Sequence, residues 1–215
     1  MERFIIIYYT LVFQLITGLL PLMILFFQKK KFNIEFLVYL GSSVITTFLF
    51  FILFKQKVNN LLIFNGYQIF SITCLSIFYC NICNKSLTKN LILSIGSLCL
   101  VILFFELSQT SFIEYSLVYR TIGFILFSVI FFIDYLNSES QRNPQSFSYL
   151  IVNASIFIYN SFSFLFFLYI TILMGNDLWY IHNIIEGISK LIIAYAFWKL
   201  PNQAYFQDTN HKNLG

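Results

Sequence analysis

The sequence predicts an all-α polytopic membrane protein with seven transmembrane helices, its N-terminus outside and its C-terminus cytoplasmic. Three observations carry this. The chain is 59% hydrophobic and 10% charged, too apolar to cover a soluble surface. Its apolar residues gather into seven runs, each long enough to cross a bilayer at about 1.5 Å of rise per residue. The basic residues concentrate in alternate connections between those runs.

Span one covers Phe4 to Phe27, with Gln14, Thr17 and a kinking Pro21 inside it, and Gln28-Lys-Lys-Lys31 ends it. The run is too long for the apolar core of a signal peptide, and no small-x-small site follows. Span two, Glu35 to Phe54, carries a Gly41-Ser42-Ser43 and Thr46-Thr47 face suited to close helix packing. Span three, Leu61 to Cys80, is polar for its length, with Asn65, Gln68, Ser71 and Thr73. Span four, Leu91 to Leu107, is the shortest, close to the lower limit for crossing.

Span five, Tyr115 to Leu136, holds Arg120 near its start and Asp134 near its end. A turn-rich linker, Asn137 to Ser146, leads to span six, Phe147 to Met174, with Asn153, Tyr159, Asn160, Ser161 and Ser163. Gly175-Asn-Asp177 turns the chain into span seven, Leu178 to Lys199, which Pro201 stops. Residues 201–215 form a polar cytoplasmic tail.

Orientation follows from counting basic residues. With the N-terminus outside, Lys29, Lys30, Lys31, Lys85, Lys89, Arg142, Lys199 and Lys212 are cytoplasmic, leaving Arg3, Lys55 and Lys57 outside, eight against three. No arginine-rich face suggests nucleic acid. Richness in Phe, Ile, Asn and Lys matches an AT-rich bacterial genome, which makes the bacterial inner membrane the expected location.

The candidate site is built on span seven. His182, Glu186 and Lys190 recur every four residues, on successive turns of one helical face, with Asn183 beside them. A charge at the bilayer centre costs about 3 kcal/mol on insertion scales, so the stripe is expected to face protein or water. Arg120 starts from the same side at a similar depth, within reach of Glu186 or His182, and Asn65, Gln68 and Asn160 complete a polar cluster in the outer half. The plain alternative is that Glu186 and Lys190 neutralise each other, Arg120 snorkels to headgroups, and the amides are ordinary interhelical partners. Trp179, Tyr180, Tyr195 and Trp198 read as interfacial belt residues.

Three function classes fit such a cluster. One is a receptor-like or sensory module that signals through a separate cytoplasmic or membrane partner, touched by the linker and the tail. The second is a small transporter or channel for a polar or ionic solute, against which stands the absence of a visible internal repeat. The third is an intramembrane hydrolase, but neither H-E-x-x-H nor G-x-S-x-G occurs, and His182 with Glu186 gives only two ligands while His211 lies on the opposite side. Cys80-x-x-Cys83 supplies at most half of a zinc site, so its cysteines read as small apolar residues near a helix end. No metal or other cofactor is expected, with one exception to weigh.

That exception is retinal. Glu186-x-x-x-Lys190 in the seventh helix resembles the chromophore helix of microbial rhodopsins, which would place retinal on Lys190. Spans one to three hold no internal acid, so the third-helix counterion that this resemblance implies is missing. A broader resemblance rests on Asn65-Gly-Tyr-Gln-Ile-Phe70, Ile158-Tyr-Asn-Ser161, and Leu178-Trp-Tyr-Ile-His-Asn183 running to Phe197-Trp-Lys-Leu-Pro201. In these the chain resembles small seven-helix membrane proteins of Bacteroidota. The resemblance implies a membrane module encoded near signalling kinases, with an acid in the third helix where Gln68 stands here.

Overall fold

A computed structural model describes residues 2–56, 61–107, 114–137, 144–173 and 179–200. All of the regular structure among them is helical, in seven elements: α1 (Glu2–Phe27), α2 (Ile34–Gln56), α3 (Leu61–Ile82), α4 (Ser86–Leu107), α5 (Glu114–Leu136), α6 (Pro144–Leu173) and α7 (Trp179–Trp198). Six of them, α1 to α6, are long and apolar enough to cross a membrane. The helix left out is α7, whose His182, Asn183, Glu186, Ser189 and Lys190 dilute its apolar content.

Each helix packs on its neighbours in sequence, and α7 closes the circle by packing on α1 as well as α6. The α1–α7 seam is the most extensive in the molecule. Because α3 also touches α5 directly, α4 sits outside the circle, against the pair it connects. Its outward residues Leu98, Val101, Phe104 and Phe105 are exposed, as lipid-facing positions would be.

The α1–α7 seam is close because glycine lines it from both sides. A methyl at Gly187 would overlap the Phe13 ring, and one at Gly18 would meet Val44 Cγ2 at 2.9 Å and Lys190 Nζ at 3.4 Å. Small residues let helix backbones approach where no hydrophobic driving force separates protein from lipid. Asn183 Nδ2 donates to Thr10 Oγ1 (3.3 Å), and Lys30 Nζ donates to the Trp198 carbonyl (2.6 Å). The two helices therefore run parallel, with their starts together and their ends together.

Helix ends are fixed locally. After α1, Lys30 N–H bonds the Leu25 carbonyl and Lys29 N–H bonds that of Phe26, with Lys29 itself left-handed at φ 49°. This is a Schellman C-cap with lysine where glycine is usual. The Asn33 side chain then caps α2 by accepting from Glu35 N–H (3.2 Å).

Helix α4 starts five residues before the expected Leu91 and is 22 residues long, which removes the concern over its length. The reason lies on another helix. Asp134 of α5 accepts from Asn84 N–H (2.8 Å), Lys85 N–H (3.4 Å) and Thr88 Oγ1 (3.4 Å), supplying from outside the carboxylate that a helix start needs. Lys89, expected in a loop, lies in the first turns of α4.

The main apolar core fills the end where α1, α3 and α7 finish and continues along α4 and α5 to Leu103 and Phe124. Phe32 stacks against Phe197 and Tyr149, with ring centroids 4.7 and 4.8 Å apart, and Phe36 meets Phe78 at 4.7 Å. Phe36, Phe78 and Phe197 are wholly buried. Aromatic rings bury large areas and interlock at such angles, so this end is plugged.

Candidate functional site

Above that plug, the α7 stripe turns into the circle. Lys190 Nζ lies 2.7 Å from Glu186 Oε1, with the acid on the N-terminal side, the favoured order one helical turn apart. Ser43 Oγ of α2 donates to the same oxygen at 3.2 Å, and Gln14 of α1 stands near this carboxylate. Lys190 is 4% exposed, and its ammonium finds no further hydrogen-bond partner among the described residues. An ammonium carries three donors, so two remain open.

One turn away, His182 Nε2 is 3.2 Å from Tyr159 Oη of α6, and the Phe166 and Phe167 rings flank it with centroids 5.4 and 5.3 Å away. Tyr67 of α3 hydrogen-bonds Ser43 and Tyr39 of α2. Tyr39, Tyr67 and Tyr159 all stand close enough to Glu186 to feel its charge. Phenols of α2, α3 and α6 therefore share the electrostatic field of a carboxylate already held by a lysine.

Cross-links fix the depth of the remaining groups. Tyr79 Oη of α3 bonds Asn153 Oδ1 (2.6 Å) and pairs with Ser128 Oγ of α5 (3.0 Å), while Asn153 Nδ2 donates to the Ser128 carbonyl (3.2 Å). Eight residues back along α5 from Ser128 is Arg120; the same step along parallel α3 reaches Ser71, and along antiparallel α6 it reaches Ser161. Gln68 is thus within one turn of the Arg120 level, and Asn160 is at it. On α7, Ser155 Oγ bonded to the Ser189 carbonyl and hydroxyl (2.8 Å each) brings that level to His182 and Asn183.

Arg120 is 6% exposed, which excludes snorkelling to headgroups. Nor does it form an ion pair with Glu186, because the one salt bridge between described residues joins Glu186 to Lys190. Its guanidinium rests over the Phe124 ring at 5.9 Å and acts electrostatically on Tyr39, Tyr67, Tyr159 and His182. Among the described residues its Nε has no hydrogen-bond partner. Gln68 is fully buried, and among the same residues neither of its amide atoms is paired, and Asn65 Oδ1 and Asn160 Oδ1 are likewise unmet.

The structure thus brings His182, Glu186, Lys190, Arg120, Gln68 and Asn160 into the interior, with Asn65 one turn from Gln68, while Asn183 lies in the seam with α1 against Thr10. Residues that sequence reading missed are Gln14, Ser43, Tyr39, Tyr67 and Tyr159. Ser43 had been assigned to helix packing, and tyrosine in a span suggests the interface rather than the interior. At the far end of α7, Tyr195 and Trp198 are more than half exposed.

Cys83 is buried and Cys80 Sγ donates to the Lys89 carbonyl (3.6 Å). Among the described residues no three metal-ligating side chains cluster. His211, the tail from 201 and the middle of the linker, 138–143, lie outside the described residues.

No protein-family model matches the chain, and neither a curated protein nor a solved structure does.

Proposed function

We propose that the chain is a receptor-like or sensory module of the bacterial inner membrane. All seven helices cross, N-terminus outside, and a small polar ligand entering from outside binds in the circle. The single observation that carries this is the pairing of a polar interior with a plug. Unmatched hydrogen-bonding groups face inward above, and the Phe32, Phe36, Phe78, Tyr149 and Phe197 rings close the bundle below. A path across the membrane would have to break that plug, whereas a binding site would not.

Helix α7 completes the seven spans because its charged face turns inward, where the cost of a polar group in lipid does not apply. The parallel course of α1 and α7 supports termini on opposite sides. Signalling needs a two-state element, and α7 is suited to that part. It carries the site at one end, and at the other its terminal carbonyls are held by Lys30. A ligand that displaces Lys190 or His182 moves a rigid rod whose far end meets the cytoplasmic partner, a kinase or other subunit.

The test is a fluorescent label on Lys199→Cys in liposomes of defined orientation. A change in its emission when small polar solutes are added outside, with no solute accumulating, supports the sensory reading. Accumulation of the solute would instead make the chain a transporter.

A further inference from the structure

We propose that Arg120, Gln68 and Asn160 form the binding site for a small carboxylate that also carries a hydrogen-bond donor, such as a hydroxy acid. This deepens the reading of the interior as a ligand site and rests on it. Arg120 supplies a permanent positive charge in a position where no carboxylate of the described residues pairs with it. Leaving such a charge buried is strongly unfavourable, so the site is complementary to an anion. The planar guanidinium fork, with Nε open, matches a carboxylate in two-point contact better than it matches a spherical ion.

The amides define the rest of the ligand. Asn160 Nδ2 donates to the Ile156 carbonyl at 2.8 Å, which fixes its orientation and leaves Oδ1 as an unmet acceptor. Both polar atoms of Gln68 are unpaired, so whichever way the amide is turned it offers one donor and one acceptor. Two acceptors at or within a turn of the level of a cation would repel a bare halide and are satisfied by hydroxyl or amino hydrogens. Glu186 is already neutralised by Lys190, so the site as a whole keeps one positive charge, and a monoanion balances it.

The experiment is thermal unfolding of the purified full chain in nanodiscs, titrated with sodium lactate, sodium propionate and sodium chloride at matched ionic strength. The expected result is a saturable rise in Tm with lactate, a weaker one with propionate and none with chloride. Arg120→Gln should raise the half-saturating lactate concentration roughly thirtyfold or more, and Arg120→Lys should raise it less. Gln68→Met should fold and erase the preference for lactate over propionate. No saturable shift with either acid, an equal shift with chloride, or an unchanged lactate response in Arg120→Gln would overturn the assignment. Loss of the Lys199→Cys signal with lactate binding intact would remove the sensory reading alone.

Discussion

Lys190 and Glu186 sit 2.7 Å apart on one helix, and the lysine ammonium has no other partner among the described residues. The carboxylate is better provided for, with Ser43 also bonded to it. Removing the lysine alone strands a buried negative charge. Lys190→Met is expected to cost about 3 kcal/mol, the low end for breaking a buried pair, because the Ser43 hydroxyl remains on the acid. The double variant Glu186→Gln with Lys190→Met should recover at least about 1 kcal/mol of that. Equal Tm losses for the single and double variants would show that the two side chains do not stabilise each other.

The same lysine lies against α1 at a position where only glycine leaves room. Gly18→Ala puts a methyl 2.9 Å from Val44 Cγ2 and 3.4 Å from Lys190 Nζ. We expect a loss of about 1–3 kcal/mol from overpacking. The loss should shrink when Lys190 is already methionine, since the thioether chain can bend aside. A Gly18→Ala variant as stable as the parent would mean that α2 and α7 stand farther from α1 than described.

Lys29 and Lys30 should respond in opposite senses. Lys29 holds a left-handed backbone at φ 49°, so Lys29→Gly should stabilise by about 1 kcal/mol. Lys30 bonds the Phe197 and Trp198 carbonyls at 3.3 and 2.6 Å. Lys30→Met should therefore speed amide exchange over residues 196–200 and lower stability by about 1 kcal/mol. Unchanged exchange there would remove the tether between the first connection and the last helix.

Cys83 lies in the corner beyond α3, where burial, with Asp134 adding to it, pushes the thiol from 9.0 up to about 12. A raised thiol contributes stability that is complete below pH 9 and is lost as pH climbs toward 12, because only the unfolded chain releases the proton in between. Cys83→Ser should flatten the alkaline fall in Tm over that window. Native Cys83 should also resist maleimide at pH 8 until the protein is denatured, and rapid native labelling would contradict its burial.

Much of this architecture is legible in the residues. The seven apolar runs mark the helices, and the four-residue recurrence of His182, Glu186 and Lys190 marks the inward face of α7. What is illegible is which neighbour answers each group. Asp134 reads as a residue near the end of a span, yet it caps a different helix, a pairing that depends on α3, α4 and α5 meeting. Arg120 has two plausible destinies from sequence, the headgroups or Glu186, and takes neither. Its depth is set by Tyr79, Ser128 and Asn153, whose mutual contacts no spacing along the chain reveals. The tyrosines are hidden for a similar reason, since amphipathic rings suit an interface and an interior equally.

The most extensive seam among the described helices joins α1 to α7, far apart along the chain. While the ribosome is still extending α6, Thr10 and Ser43 lack their α7 partners Asn183 and Glu186, and the growing bundle waits in the bilayer with an open flank. Closure is then a single late event of high sequence separation, whose long loop must be gathered before any contact rewards it. Chains cut short before residue 179 would present that polar flank to lipid and to the quality-control proteases of the membrane.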